Sequence, residues 1–453
     1  MEFRIIFLTV LLSAFLISSC SEEDNPLESN NDITARPGYN SLTSFDKTIL
    51  EELNKRISRI ESPSPESANL DLTPLDYFAD KKIIALGEAT HGTKEFFQMK
   101  HKIFKYLVEK HNYKVFGFEA DMAECIYIDR FICKGTGTIE EAMNKMHFWT
   151  WKTQEVKELI LWMREYNRTR SSQDQIHLLG FDSQYWNYNS DLLNDYLSNS
   201  GMTLPTHISK ILSEIKELSS VTNTVSITSQ YELFYSKCDT VKSYLDANKT
   251  QLIASTSETE FEQMRQLTIQ AAQAIDVKTG RDFMKRDYYM AQNALWMSNL
   301  YGSNSKMVTW AHNGHINKGG DSPYLYPMGK FITNTIGDGY SAIGFSFGNG
   351  TFRAITRLAN GSYSGLNIHS FSRVQDTKSY NFIFGFAKYD NFLLIKNNTS
   401  VSNQLTNFLN ASNLFFSVGA VYGDNYNCYA TISLAANYDA IIHLSMTNTA
   451  VGI

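Results

Sequence analysis

The stretch KKIIALGEATHGTKEFFQMKHKIFKYLVEK, residues 81–110, decides the fold. Its beginning, residues 81–87, is a short apolar run of the length expected for a buried strand. From residue 94 onward, apolar residues recur at helical spacing and form one stripe. The stripe consists of Phe96, Phe97, Ile103, Phe104 and Leu107. A strand that leads into an amphipathic helix is the repeating unit of a parallel sheet covered by helices.

Further apolar runs of strand length alternate with helical patterns along the chain. They lie at residues 113–119, 175–181, 306–312 and 340–347. This alternation predicts an α/β fold, with a mostly parallel central sheet flanked by helices. Between about residues 186 and 300 the pattern is helical throughout, which predicts a helical insertion or lid. Short β-like pieces after residue 348, among them residues 381–387, are expected to extend or edge the sheet.

Residues 1–20, MEFRIIFLTVLLSAFLISSC, have the pattern of a bacterial lipoprotein signal peptide. Their apolar run is too short to span the roughly 30 Å of a bilayer core, and ISSC resembles a lipobox that ends at Cys20. We therefore predict a lipidated Cys20, a flexible tether over residues 21–45 and a folded domain over residues 46–453. The protein is then exported and lipid-anchored to the bacterial envelope, at the outer membrane or the cell surface. The alternative is a plain secretory peptide in which Cys20 is incidental.

Composition narrows the class of partner. The chain of 453 residues carries a formal net charge of -6, and its Lys and Arg residues are scattered rather than gathered into a basic surface. We therefore expect a small-molecule ligand and no binding to nucleic acid.

The cysteines after residue 20 form no CxxC pair, and on a shared helix Cys125 and Cys133 would lie about 12 Å apart, beyond disulfide distance. Both are expected to be small buried apolar residues.

Titratable side chains follow four of the predicted strands, at the point where each strand ends. They are Glu88, His91, Glu119, Asp182, His312 and His315. In open α/β sheets, ligands bind at the carboxyl ends of the strands, so these side chains are expected to share one site. The alternative is that polar residues cap turns and helices at these positions, an interpretation that fits Asp182 best.

Lys100 falls near the centre of the apolar stripe on the helix after His91. A lysine that faces the core must either extend its ammonium group past its neighbours to solvent or pair with a carboxylate. Glu88 and Glu119 are the candidate partners. Both outcomes are open from the sequence alone.

A second motif suggests different chemistry. Residues 344–348, GFSFG, match the G-x-S-x-G nucleophile elbow of serine hydrolases. An elbow needs a sharp turn from strand into helix, whereas the residues after Ser346 indicate a turn and then another strand. We therefore expect an ordinary strand serine.

A metal site is the main rival for the residues at the strand ends. His312 and His315 are candidate ligands, with Glu88, His91 or Glu119 to complete the set. Their spacing is three residues on a strand-to-loop turn, and the chain has no HExxH helix. A metal-dependent mechanism therefore remains an alternative.

The residues around His91 resemble the hallmark of the erythromycin esterase family, GEATHG at residues 87–92. The resemblance extends from about residue 78 to residue 347, with a further motif near the C-terminus. The other matching segments are HFWTW at 147–151, WMREYN at 162–167, GFD at 180–182, RDYYMAQN at 286–293, AHNGH at 311–315 and YDAII at 438–442. Taken together, these motifs are specific.

The resemblance implies an esterase that opens a macrolide lactone by attack of water, without a covalent enzyme intermediate. It implies that His91 is the base, that Glu88 and Glu119 are its supporting carboxylates, and that His312 is a second catalytic histidine with His315 nearby. We expect no cofactor and no metal.

Three further residues are expected to support the site or bind substrate, namely Lys100, Asp182 and Arg286. The family usually has an arginine where this chain has Lys100. A lysine keeps the charge but loses the planar fork that holds a carboxylate at both oxygens. This departure bears on whether erythromycin itself is the substrate.

The sequence thus predicts a hydrolase of an ester or lactone, with antibiotic inactivation as the expected role. His91 would deprotonate water, Glu88 or Glu119 would fix its tautomer, and His312 or Lys100 would stabilise the oxyanion. Two alternatives remain beside it. One is a metal-dependent hydrolase, and the other is a non-catalytic surface lipoprotein that holds a ligand such as haem or a sugar in the same cleft.

Overall fold

A computed structural model of the protein describes residues 33–221, 228–280, 285–320, 326–396, 403–423 and 428–453. The predicted signal peptide with Cys20, and the predicted tether up to residue 32, lie outside the described residues.

The centre of the fold is a ten-stranded sheet, and a separate two-stranded sheet lies beside it. The strands are β1 (Ser58–Arg59), β2 (Ile83–Leu86), β3 (Tyr113–Asp121), β4 (His177–Asp182), β5 (Lys306–Trp310), β6 (Tyr340–Arg357), β7 (Tyr363–Ser372), β8 (Asn391–Ile395), β9 (Asn413–Phe416), β10 (Val421–Tyr422), β11 (Tyr429–Ile432) and β12 (Ala440–Thr447). The order in the large sheet is β1-β8-β12-β6-β2-β5-β3-β4, with β7 and β10 also paired to β6. β9 and β11 form the small sheet.

The middle of the large sheet is parallel. β12, β6, β2, β5, β3 and β4 pair with one another in the same direction, while β8 and β1 add an antiparallel edge. β2 and β4 are buried along their whole length, as expected where helices cover both faces of a parallel sheet. The predicted α/β fold with a mostly parallel sheet is confirmed.

The α-helices cover the sheet and form a separate bundle. They are α1 (Ser44–Asn54), α2 (Lys94–His111), α3 (Met122–Lys134), α4 (Ile139–Asn144), α5 (Gln154–Asn167), α6 (Asn189–Asn199), α7 (Thr206–Ser219), α8 (Tyr231–Ala247), α9 (Lys249–Ser255), α10 (Glu258–Lys278), α11 (Lys285–Leu300), α12 (Asn313–Ile316), α13 (Met328–Ile336), α14 (Tyr380–Phe384), α15 (Asn403–Asn410) and α16 (Leu434–Asn437). In the described ranges, the chain between β4 and β5 is helical, and its helices pack around a core that includes Leu212, Phe234 and Phe261. None of the helices in these ranges has the length and apolarity to cross a bilayer.

The part of the predicted tether from Ile33 onward is folded against the domain, so the prediction of a free tether up to residue 45 is wrong for this part. Arg36 Nη1 donates to the carbonyl oxygens of Gly385 at 2.9 Å and Ala387 at 3.1 Å. The Tyr39 ring packs edge-on against Phe386, with ring centres 5.9 Å apart. The sequence gives no local signal for this packing, because the contacts join segments about 350 residues apart.

Residues 381–387 do not form the expected β-like piece. Most of them lie in α14, which begins where the Ser379 side chain accepts a hydrogen bond from the Phe382 backbone N–H at 3.1 Å. The helix is short, and its aromatic residues are buried on all sides. A short apolar run without periodicity does not distinguish a buried strand from a buried helix, which explains the error.

Ser346 lies inside β6, as the sequence predicts for a strand serine. Its side chain is completely buried, and Oγ lies 2.7 Å from Nδ1 of His443 on the neighbouring β12. The strand continues past residue 348 without turning into a helix. Ser346 is therefore a core residue and not a nucleophile elbow.

Candidate active site

Four adjacent strands bring the predicted site residues to one edge of the sheet. β2, β5, β3 and β4 are neighbours and run in the same direction, so their carboxyl ends lie side by side. All six titratable residues that lie at the ends of these strands, or just after them, are at this edge, as the sequence predicts. Five of their side chains divide into two groups of ionic contacts, and His312 lies between the groups.

The first group, here called the His91 cluster, consists of Glu88, His91 and Lys100. His91 Nδ1 lies 2.7 Å from Glu88 Oε1, and Lys100 Nζ donates to Glu88 Oε2 at 3.1 Å. Trp310 Nε1 donates to the same Oε2 at 2.7 Å. Glu88 and Lys100 are completely buried, whereas 16% of the His91 side chain is exposed. Within the described part of the chain no hydrogen bond involves His91 Nε2, so this nitrogen is open to a ligand.

The buried ion pair keeps Glu88 ionised. Burial would raise the pKa of Glu88, but Lys100, His91 and Trp310 together hold it below its ordinary value. Burial lowers the pKa of Lys100 to about 8, against the opposing effect of Glu88. The Lys100 ammonium also lies 4.6 Å from the ring centre of Trp310 and 4.8 Å from that of Phe345. Lys100 therefore pairs with a carboxylate instead of reaching solvent, and the partner is Glu88.

The second group, here called the Arg286 network, consists of Glu119, Asp182, Arg286, Asp287 and His315. Arg286 donates from Nε and Nη2 to the two oxygens of Asp182, at 3.0 and 2.7 Å. Nη2 also donates to Glu119 Oε1 at 2.8 Å. His315 lies between two carboxylates, with Nδ1 2.8 Å from Asp287 Oδ1 and Nε2 3.3 Å from Glu119 Oε1. Every carboxylate of this network thus has a cationic partner.

The charges of the Arg286 network stabilise one another. Burial would raise the pKa of Glu119, but His315 and Arg286 hold it well below its ordinary value. Burial would lower the pKa of His315, but Asp287 and Glu119 outweigh it and raise the pKa to about 10. We therefore assign an imidazolium to His315. Nη1 of Arg286, 3.1 Å from His315 Nε2, is then a neighbouring cation and not a hydrogen-bond donor.

Asp182 combines the two roles considered for it. Besides Arg286, its oxygens accept from the backbone N–H of Ser183 at 2.8 Å and from Nε2 of Gln184 at 2.7 Å. The side chain is completely buried. Asp182 therefore stabilises the turn after β4 and holds Arg286 at the same time.

His312 links the two groups. Its backbone N–H donates to Glu119 Oε2 at 2.8 Å, and its ring centre lies 5.2 Å from that of His91. The N–H of Gly314 donates to His312 Nδ1 at 3.1 Å, which places the proton of the neutral ring on Nε2. Burial, together with His91 and His315, lowers the pKa of His312 to about 3. His312 is therefore a neutral hydrogen-bond donor next to His91.

Four residues of the site were not predicted from the sequence. They are Trp310, Asp287, Ser417 and Gly419. Asp287 follows Arg286 directly and Trp310 lies two residues before His312, so their positions in the chain could have indicated that they belong to the site. Ser417 Oγ lies 3.4 Å from His312 Nε2, and a Cβ on Gly419 would lie 3.8 Å from His91 Nε2. Both come from a C-terminal segment that carries no sequence signal for a site.

The strand-end residues do not form a preassembled metal site. Both ring nitrogens of His315 are engaged with carboxylates, and His312 Nδ1 accepts a backbone N–H. In the residues the structure describes, the group of three ligand atoms within 4.8 Å of one another lies elsewhere, at Asp129, Cys133 and His177.

Fold and site together define a class, the α/β proteins with a histidine–carboxylate site at the carboxyl edge of a parallel sheet. The chain belongs to the erythromycin esterase family, whose family model, described as "Erythromycin esterase", matches residues 108–447. The predicted resemblance is confirmed, and the family is one of hydrolases of the esterase class. The matched range contains the Arg286 network and His312, and it begins after His91 and Lys100 in the chain.

Individual relatives agree with this assignment. The erythromycin esterase type II of Escherichia coli is 28% identical over 361 residues, which span 73% of this chain and 79% of that protein. A solved protein of Bacillus cereus superposes with a TM-score of 0.77 at 24% identity, over 90% of this chain and 99% of its own. A solved erythromycin esterase mutant in its open conformation superposes with a TM-score of 0.63 at 17% identity, over 86% and 97% of the two chains. The two superpositions show a shared fold.

Proposed function

We propose that the protein hydrolyses a carboxylic ester or lactone by attack of a water molecule that His91 activates. The observation that carries the proposal is the geometry of the His91 cluster. Glu88 fixes Nδ1 as the protonated ring nitrogen and leaves Nε2, on a ring 5.2 Å from that of His312, as the base. Membership in the erythromycin esterase family supports the same class of reaction.

The proposed reaction has two steps. In the first, His91 Nε2 takes a proton from water while the water oxygen bonds to the carbonyl carbon, whose oxygen becomes an oxyanion. The Glu88 carboxylate stabilises the imidazolium that forms. In the second, the oxyanion collapses, the bond between the carbon and the alcohol oxygen breaks, and His91 returns its proton to that oxygen. A lactone is thereby opened to a hydroxy acid by addition of one water, without a covalent enzyme intermediate.

We assign oxyanion stabilisation to His312 rather than to Lys100. His312 presents an Nε2–H donor and stays neutral because its pKa is lowered to about 3, first by burial. A neutral imidazole can donate to a developing oxyanion without giving up its proton. Lys100 is completely buried and paired with Glu88, so its ammonium is not exposed to a substrate.

The proposed substrate class is a macrolide-like lactone or related small ester, and the proposed role is inactivation of an antibiotic. Lys100 makes one hydrogen bond to Glu88, whereas the arginine usual in the family could hold both oxygens. Because Glu88 positions His91, this difference in how Glu88 is held is expected to shift substrate preference within the class. Erythromycin is therefore one candidate among several lactones.

Mass spectrometry of erythromycin and a panel of other lactones and esters, after incubation with the protein, tests the proposal. The expected result is a product heavier by one water for at least one compound, with His91→Asn as the inactive control. A compound that binds but is recovered unchanged would favour the ligand-binding alternative. Absence of hydrolysis across the panel and across generic chromogenic esters would reject the proposed function.

We also propose export and lipid anchoring at Cys20, on the basis of residues 1–20. The diacylated cysteine would hold the domain at the bacterial envelope. Cys20→Ala should abolish incorporation of labelled palmitate and release the chain from the membrane fraction or leave it uncleaved. Unchanged labelling and fractionation would reject the anchor and favour a plain secretory peptide.

A further inference from the structure

A second cluster of reactive side chains lies far from the candidate active site. It consists of Asp129 and Cys133 on α3 and His177, the first residue of β4. Asp129 and Cys133 are four residues apart, so they share one face of the helix. β4 carries His177 at its beginning and Asp182 at its end, about 16 Å away at the rise of a strand. The cluster therefore lies toward the opposite edge of the sheet from His91.

Three different donor atoms converge in this cluster. Cys133 Sγ lies 3.4 Å from His177 Nδ1 and 3.6 Å from Asp129 Oδ1, and His177 Nδ1 lies 3.2 Å from the same oxygen. A tetrahedral zinc ion, at bond lengths of about 2.3 Å to sulfur and about 2.0 to 2.2 Å to nitrogen and oxygen, needs ligand atoms about 3.3 to 3.6 Å apart. The three side chains are thus held at nearly the spacing that the ion requires.

The same geometry argues against a cysteine nucleophile with a histidine–aspartate pair. In such a triad the two ring nitrogens serve different partners, one toward the nucleophile and the other toward the acid. Here Nδ1 of His177 faces both Cys133 and Asp129. One nitrogen, one sulfur and one oxygen directed at a common point are the arrangement of ligands.

Neighbouring groups orient the three donors from outside. The His177 ring stacks on Tyr301, with ring centres 3.8 Å apart and planes 14° from parallel. The Leu178 N–H donates to Asp129 Oδ1 at 3.0 Å, and Asn167 Nδ2 donates to Cys133 Sγ at 3.6 Å. Hydrogen bonds of this kind hold ligand side chains in place in metal sites. Cys133 packs against the hydrophobic core as expected of a small apolar residue, but it is only partly buried and its thiol also contacts Asp129, His177 and Asn167.

The cluster also opens onto space for a fourth ligand. It lines a cavity of about 760 Å³ between the sheet and the helical bundle, together with Tyr301, Gln263 and Glu260. A zinc ion with three protein ligands takes a water molecule in the fourth position. The cavity provides access for both the ion and that water.

We propose that Asp129, Cys133 and His177 bind a zinc ion that joins α3 to the start of β4, separately from the hydrolytic site. Binding releases the Cys133 thiol proton to solvent, and the thiolate, the carboxylate and the neutral His177 ring donate to the metal. The two positive charges of the zinc ion are then neutralised by the Asp129 carboxylate and the Cys133 thiolate. The proposal does not depend on the proposed hydrolytic function, since it uses none of the residues of the His91 cluster.

Cobalt titration of the purified full chain tests the site, because a cysteine-ligated cobalt ion shows a thiolate-to-metal charge-transfer band. We expect one equivalent of cobalt to produce the band, and zinc to displace it. Cys133→Ser should abolish the band, whereas the matched control Cys428→Ser, at another partly buried thiol, should leave it unchanged. Absence of the band in the unaltered protein, or a band that survives Cys133→Ser, would overturn the proposal.

A second measurement needs no variant and decides the matter if Cys133→Ser folds poorly. Zinc should slow alkylation of Cys133 in the unaltered chain at least about tenfold, as measured by peptide mass spectrometry, while the Cys428 peptide serves as the internal reference. Equal alkylation of Cys133 with and without zinc would overturn the proposal.

Discussion

The His91 cluster and the Arg286 network both combine a histidine, carboxylates and a basic side chain at the same edge of the sheet, yet they differ in how completely their atoms are paired. In the Arg286 network both ring nitrogens of His315 face carboxylates, and Arg286 Nε and Nη2 donate to Asp182 and Glu119. In the His91 cluster Nδ1 faces a buried carboxylate, whereas Nε2 has no hydrogen bond within the described residues and the side chain is partly exposed. A fully paired network stabilises the local structure, whereas a ring nitrogen without a hydrogen-bond partner can take part in a reaction.

The largest expected effect separates the two histidines by rate. His91→Asn should lower the hydrolytic rate by at least about 10²-fold, because it removes the proposed general base. His315→Asn should lower the rate less and the melting temperature more, since His315 balances the charges of Asp287 and Glu119 and has no part in the proposed reaction. Initial rates on an identified substrate, with circular dichroism to verify folding, measure both. Near-normal turnover by His91→Asn would reject the proposed difference in role between the His91 cluster and the Arg286 network.

Lys100 provides the next test, because its ion pair is completely buried. Lys100→Met should destabilise the fold by about 3 kcal/mol and also lower the rate, since Glu88 loses its cation and its pKa rises. Lys100→Arg should be tolerated better. Lys102→Met is the matched control, because Lys102 is equally buried on the same helix and pairs with Asp71 at 2.7 Å outside the site.

Chemical denaturation and initial rates distinguish the outcomes for this pair. The control should lose stability but keep the rate of the folded protein, whereas Lys100→Met should lose both. Full activity and stability of Lys100→Met would remove Lys100 from the site.

A pH series sharpens the description of the Arg286 network. Asp287 and Glu119 raise the pKa of His315 to about 10 against the effect of burial, whereas an unperturbed histidine titrates near about 6.5. A raised pKa contributes stability that is fully present below about pH 6.5 and is lost as the pH rises through about 10. The difference in unfolding free energy between the wild type and His315→Gln should therefore shrink over this range. A difference that stays constant with pH would show that His315 is neutral.

The smallest expected effect is that of chelation on the rate. The proposed hydrolysis uses no metal, so exhaustive chelation should leave the initial rate unchanged, while loss of zinc from the proposed Cys133 site should lower the melting temperature. Cys133→Ser is the control, because chelation should not lower its melting temperature further. Loss of activity on chelation in the Cys133→Ser protein, with recovery on addition of zinc or manganese, would favour a metal at the strand ends.

The sequence was informative where function follows from local pattern. Apolar runs followed by Glu88, Glu119 and His312 predicted both the parallel strands and the shared edge, because strand ends in such sheets meet by topology. The apolar stripe on the helix predicted that Lys100 faces the core, but it did not decide whether Glu88 or Glu119 is its partner. Only the packing of α2 on the sheet selects Glu88.

The parts that sequence reasoning missed depend on distant segments. Ser417 and Gly419 reach the histidines because the segment between β9 and β10 lies against the loop after β2, where the Val418 N–H donates to the Ala89 carbonyl, and no local sequence pattern predicts that contact. The same holds for Arg36, which is anchored by carbonyl groups near residue 385. Residues 381–387 were misassigned because a short apolar run has no period to read.

The candidate active site is completed by strands that lie far apart in the chain, so it can be complete only after those strands have paired. β2, whose end carries Glu88 and His91, pairs with β5 and β6 from much later in the chain, and β6 pairs in turn with β12, the last strand. The loop after β2 is closed by a hydrogen bond from the Val418 N–H to the Ala89 carbonyl at 2.7 Å. Contacts of such long range slow folding, because the entropy of closing a long loop is lost before the contact stabilises the chain. Until these contacts form, a growing chain thus carries His91 without the segments that surround it in the folded protein. If the protein is exported and hydrolytic as proposed, hydrolysis begins only in the compartment where folding is completed.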